Sequence, residues 1–132
     1  VFLSKEGVHS KVLYKEWADA IRYSVRENYT KKYQRVVDDI KKYLELTKEE
    51  ENFYLKWCKY EVEHMADEIV SNQYRGDYYK AAGLLVAMAE TLANRRKRRE
   101  GIELIERYRS KYPRHIAFES ELTKALNESG LK

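Results

Sequence analysis

The chain has 132 residues, 43% of them hydrophobic and 36% charged, with a formal net charge of +4. That length suits one domain, residues 1–132, with its own core. The composition excludes a disordered chain, and no stretch approaches the roughly 18 apolar residues of a membrane span.

The opening, VFLSKEGVHS, lacks the basic start and apolar run of a signal peptide. The first residue is Val1 rather than Met, as expected of a trimmed chain or a domain cut from a longer protein. The single cysteine, Cys58, excludes an internal disulfide and suits a reducing compartment, so the expected location is cytoplasmic.

Apolar residues recur at helical spacing almost throughout. A first helix is expected from Ser10, with Leu13, Trp17, Ala20 and Ile21 on one face, ending at Asn28. Thr30 can cap a second, whose Tyr33, Val36, Val37, Ile40, Tyr43 and Leu44 keep a three–four rhythm. Thr47 followed by Glu50 reads as a capping box, and Glu49, Glu50 and Glu51 suit the positive end of a helix dipole. The helix that opens there runs to about Asn72 and carries two apolar stripes. Phe53, Trp57, Tyr60 and His64 form one; Tyr54, Cys58, Val62, Met65 and Ile69 form the other. So wide an apolar face predicts a helix contacted from two sides.

Gly76 in YRGDYY punctuates the chain, and Asp77 is placed to cap a fourth helix. That helix, YYKAAGLLVAMAETLAN, is rich in small residues, Ala81, Ala82, Gly83, Ala87 and Ala89, with Leu85, Val86 and Leu92 between them. Small residues permit close helix contact, so this element is expected at the centre of the fold. After the run Arg95–Arg99, a fifth helix shows Ile102, Ile105, Tyr108 and Tyr112 on one side until Pro113 interrupts it. A last helix begins near Pro113, with Phe118, Leu122, Ala125 and Leu126 in register. No strand pattern is present. The expected fold is all-α: an irregular bundle of about six antiparallel helices, or stacked helical hairpins of TPR-like kind.

Residues 74–122 resemble the helical region C-terminal to the zinc finger in bacterial SWIM proteins. The resemblance rests on Tyr78, Tyr79, Ala81, Ala82 and Glu90, then Tyr108, then Arg114, Ala117, Phe118, Glu121 and Leu122 of PRHIAFESEL. It implies a helical-hairpin scaffold. The family's zinc site, a Cys-x-Cys pair with a further Cys and a His, has no counterpart in a chain with one cysteine, so no finger function transfers.

Charge is unevenly spread. Residues 94–115 hold nine Lys or Arg against three Glu, a local excess of six, which leaves the remainder at about −2. Arg95, Arg96, Lys97, Arg98 and Arg99, joined by Arg107, Arg109, Lys111 and Arg114, form the candidate nucleic-acid-binding set. Several cations converging on one surface bind phosphate by displacing counterions, and Tyr108 and Tyr112 are placed to stack. Against that, consecutive helical charges fan out by about 100° each, and the two tyrosines lie on the apolar stripe.

Other motifs are weaker. Glu61 and His64 have the Glu-x-x-His spacing of di-iron bundles, repeated at Glu6 and His9, but the further acids do not fit that pattern. Cys58 lies mid-helix with no activating neighbourhood beyond Lys59, and RGD at 75–77 is a chance-prone tripeptide. The twelve tyrosines are expected chiefly as amphipathic core residues, those at 33, 43, 54 and 60 on apolar stripes and those near helix ends suited to an interface. No catalytic residue, metal site or cofactor is expected. The reading is a non-enzymatic helical module for a protein partner, of unspecified oligomeric state. The alternative is a nucleic-acid-associated domain using segment 95–114.

Overall fold

A computed structural model describes residues 46–131, together with Arg35, Asp38 and Asp39. Within 46–131 there are four α-helices and no strands: α1 (Lys48–Ser71), α2 (Tyr78–Asn94), α3 (Arg98–Lys111) and α4 (Ile116–Glu128). A short 3-10 turn, Arg75–Asp77, precedes α2. The all-α expectation therefore holds, with four helices here rather than about six. The helix expected from Ser10 lies outside the described residues; of the one expected from Thr30 only Arg35, Asp38 and Asp39 are described, and these three are helical. No helix among the described residues is long and apolar enough to cross a membrane.

The capping box forms. Thr47 Oγ1 accepts from the Glu50 amide at 3.1 Å, and Glu50 Oε1 accepts from the Thr47 amide at 3.3 Å. The C-terminus of α1 closes with Gln73 in the left-handed region, φ 57°. The Tyr74 amide bonds Ile69 O at 3.0 Å and the Gln73 amide bonds Val70 O at 3.1 Å. This is a Schellman closure. The end of α2 repeats it: Arg96 has φ 62°, Lys97 N bonds Leu92 O at 2.8 Å, and Arg96 N bonds Ala93 O at 3.2 Å. The middle of the basic run is thus a helix-terminating turn, and Arg98 and Arg99 open the next helix.

Helix α2 is the centre, packing against α1, α3 and α4. Ala81, Ala82, Leu85, Val86, Ala89 and Leu92 are all buried along it. Its small residues let α3 approach until Gly101 meets the Ala89 backbone, where an added Cβ would lie 2.7 Å from Ala89 O. Around it, α1 contributes Leu55, Ala66 and Val70, α3 contributes Leu104, Ile105 and Tyr108, and α4 contributes Phe118, Leu122 and Ala125. Glu90 is buried too, its Oε2 accepting from the Gly130 amide at 3.4 Å as the C-terminal residues fold back.

Several local expectations are corrected. Leu104, rather than Ile102, faces inward on α3; Ile102 is exposed because its position lies off the stripe of Gly101, Leu104, Ile105 and Tyr108. Asp77 occupies the N-cap position of α2 without capping it. Its carboxylate pairs with Lys80 at 3.1 Å instead. On α1, Phe53, Tyr54, Trp57 and Tyr60 are exposed, not core.

Candidate functional site

The buried residues of α1, Leu55, Ala66 and Val70, share one side with the partly buried Val62 at 100° per residue. On the same geometry Phe53, Trp57, Tyr60 and His64 fall on the side directly opposite. Helix α1 is apolar on two opposite faces, and α2 covers one of them. The other presents Phe53 at 65% exposure, Trp57 at 55% and Tyr60 at 64%, with Tyr54 and Met65 beside it. Phe53 and Tyr54 meet edge to face at 5.4 Å, and Tyr60 lies 6.2 Å from the His64 ring. Such a contiguous apolar face is unusual on a surface with no partner, because its hydration cost is not recovered.

Acids flank one side of this face. Helix α1 contains seven Asp or Glu against three Lys. Three of the seven are engaged by the basic segment: Glu51 by Arg95, Glu63 by Arg107 and Asp67 by Lys111. Glu50, Glu61 and Glu68 flank the aromatic stripe on one side by helical geometry. Glu61 and His64 share α1 as expected, but among the described residues no group of three or more His, Cys, Asp or Glu assembles to hold a metal. Cys58 is half-buried, and burial pushes its thiol above the ordinary value, opposing thiolate chemistry.

The nine cations of segment 95–114 are spread from the end of α2, along α3, to the turn before α4 rather than gathered. Arg95 is nearly buried against Glu51, at 2.8 Å. Arg98 Nη2 donates to Leu131 O at 3.0 Å, tethering the C-terminal residues. Arg99 pairs with Glu103 at 3.0 Å. Arg109 donates to Glu106 at 3.1 Å and faces Glu119 of α4 at 3.0 Å. Lys111 binds Asp67 at 2.7 Å and sits 5.6 Å from the ring centroids of both Tyr108 and Tyr112. Arg96, Lys97 and Arg114 have no side-chain partner among the described residues. Arg96 and Lys97 precede α3 and Arg114 lies beyond its end, so the helix separates them by roughly 20 Å.

Tyr108 and Tyr112 fasten α3 to α1 rather than offering stacking surfaces. Tyr108 is buried and donates to Glu63 O at 3.0 Å; Tyr112 donates to Asp67 Oδ1 at 2.7 Å. Sequence reasoning singles out Arg114 but misses Arg75, which the fold brings to the same cleft. No local signal marks Arg75, because its neighbour across the cleft is 39 positions away. Neither known protein families, nor curated proteins, nor solved structures match the chain.

Proposed function

We propose that the chain is a non-enzymatic, cytoplasmic helical interaction module. Its packed hairpins present the aromatic face of α1 to a basic amphipathic helix of a protein partner. The observation that carries this reading is the Phe53–Trp57–Tyr60 stripe, exposed on the side of α1 opposite its buried face. Aromatic side chains at helical spacing are the anchors of helix-in-groove recognition, and the acids beside the stripe select a partner with basic flanks. The segment resembling the helical region after SWIM zinc fingers supplies scaffold in this reading. Its matching Tyr78, Ala81, Ala82, Tyr108, Phe118 and Leu122 are all buried. Most of the basic segment serves the same scaffold, since its cations clasp α1, α4 and the C-terminal residues.

A photo-crosslinking side chain installed in place of Trp57, and separately in place of Lys124 on α4, tests the proposal in cells. Adducts to one discrete protein from position 57 and none from 124 are expected, with hydrogen-exchange protection of residues 53–64 in the reconstituted complex. Crosslinks confined to the chain itself, or equal yields from both positions, would overturn it.

A further inference from the structure

At the end of the molecule where α2 and α4 begin, Gln73, Arg75 and Tyr78 form one wall of an open cleft of about 530 Å3. Arg114, His115 and the first turn of α4 form the other. We propose that this cleft binds a phosphate dianion, free or carried on a small organic molecule.

Among the described residues that line it, the cleft has cations and no acid. Arg75 and Arg114 approach from different elements, and neither has a side-chain partner among the described residues. The acids nearest in sequence are turned to other work: Asp77 is held by Lys80 at 3.1 Å, and Glu119 faces Arg109 at 3.0 Å. Among the described residues no carboxylate lines the cavity to neutralise the two guanidinium groups. An anion from solution is the counter-charge that the geometry leaves room for. Paired guanidinium forks suit the oxygens of a dianion better than a single carboxylate.

The wall formed by α4 is prepared as well. His115 is the N-cap residue of α4, and its side chain bonds no backbone amide of the helix. Its Nδ1 lies 3.2 Å from the Tyr78 hydroxyl, and its ring meets that of Tyr78 edge to face at 6.3 Å, so the imidazole is held across the cleft's lining. The first hydrogen bond of the helix is Glu119 N to His115 O, which leaves the amides of Ile116 and Ala117 without helical acceptors. Both residues line the cleft, where such amides would add donors for anionic oxygens. A volume of this size, within the usual range for small-molecule sites, exceeds a bare phosphate. The exposed Ile116 and Ala117 side chains offer apolar surface to an organic body.

The test is an amide NMR titration of the full chain with inorganic phosphate and, separately, phenyl phosphate, with phenol as the uncharged control. Saturable shifts of the Ile116 and Ala117 amides, with Kd on the order of 1 mM or tighter, are expected. Tighter binding of phenyl phosphate identifies an organic phosphate, and equal binding identifies the free anion. Arg75→Gln and Arg114→Gln should each weaken binding about tenfold. Arg96→Gln, at the far end of α3, should leave it unchanged. Both cleft arginines are exposed and unpartnered, so the variants lose no internal contact, and the amide spectrum itself reports their fold. No shift at these amides with either phosphate up to about 10 mM, tenfold above that Kd, would overturn the proposal. Shifts that persist in the Arg75→Gln/Arg114→Gln double variant, or that phenol reproduces, would do so equally.

Discussion

Arg95, at the C-terminal end of α2, lays its guanidinium on the Glu51 carboxylate in the first turn of α1, with Nη2 at 2.8 Å and Nε at 3.0 Å from the same oxygen. The arginine side chain is only 9% exposed, whereas Arg99, four residues on, is 93% exposed. Two residues of one basic run therefore have different physical roles. Removing Arg95 leaves a carboxylate facing a space from which its charge partner has gone. Arg95→Ala should cost about 2 kcal/mol of stability, read from urea denaturation. Arg99→Ala breaks a solvated i,i+4 pair and should change stability by less than about 0.5 kcal/mol. Equal effects from the two would contradict this division.

Gly101 and Gly76 receive the same substitution with opposite expected signs. A Cβ at Gly101 would meet Ala89 O at 2.7 Å and Ala89 Cα at 3.2 Å. These are backbone atoms of the central helix, so no side chain can turn away to admit it. The helix-propensity gain of Gly to Ala, about 1 kcal/mol, is smaller than the cost of prising α3 from α2, about 1–3 kcal/mol for overpacking. Gly101→Ala should thus be destabilising. At Gly76 nothing lies within 4 Å of the added Cβ. Gly76→Ala should be neutral or stabilise by up to about 0.5 kcal/mol through the unfolded chain. Thermal melts of the two variants decide both signs.

Legibility in the sequence depends on range. The capping box at Thr47 and Glu50 and the central position of the alanine-rich helix needed only local pattern, and both are present. The pairs Glu51–Arg95, Glu63–Arg107 and Asp67–Lys111 share one separation, 44 residues, because the chain from the end of α2 through α3 runs parallel to α1, with both helices packed on α2. A periodicity scan of either helix cannot show that register. It also made the basic segment look like a free surface, since its acids lie a helical hairpin away. The aromatic stripe was misplaced for a related reason. Spacing revealed two apolar faces on α1, but which of them is buried depends on the side where α2 docks. Arg75 and Arg114 are remote in sequence, and nothing near either marks the cleft they share.

The two Schellman turns are closed by residues ill-suited to them. Gln73 at φ 57° and Arg96 at φ 62° carry a Cβ where glycine is usual. The left-handed conformation costs an L-residue about 1–2 kcal/mol, offset in part by the greater chain entropy that glycine loses on folding. Gln73→Gly and Arg96→Gly should each stabilise by about 0.5 kcal/mol, raising Tm by about 2 °C. Arg96→Val puts a branched Cβ at the same φ and should lower Tm. A fall in Tm for Arg96→Gly would contradict this account, since the Arg96 side chain has no partner among the described residues.

The clasp of Tyr108, Tyr112 and Asp67 makes stability pH-dependent at both ends of the scale. Burial raises the Tyr108 and Tyr112 hydroxyls above the ordinary value of 10.0, and the nearby Asp67 charge raises them further. A raised pKa in the folded state means stability that is complete below about pH 10 and is lost as pH climbs toward the folded-state pKa values. Burial would push Asp67 up as well, but hydrogen bonds from Lys111 and Tyr112 outweigh it and hold the carboxyl below 3.8. That contribution is present above about pH 4 and is lost as pH falls through the depressed value. Tyr112→Phe removes a hydrogen bond to a charged acceptor and should cost about 1.5 kcal/mol at neutral pH. Tyr108→Phe/Tyr112→Phe should flatten the alkaline limb of urea-denaturation stability against pH, and Asp67→Asn the acid limb. An alkaline limb as steep in the double phenylalanine variant as in the parent would assign it to other groups.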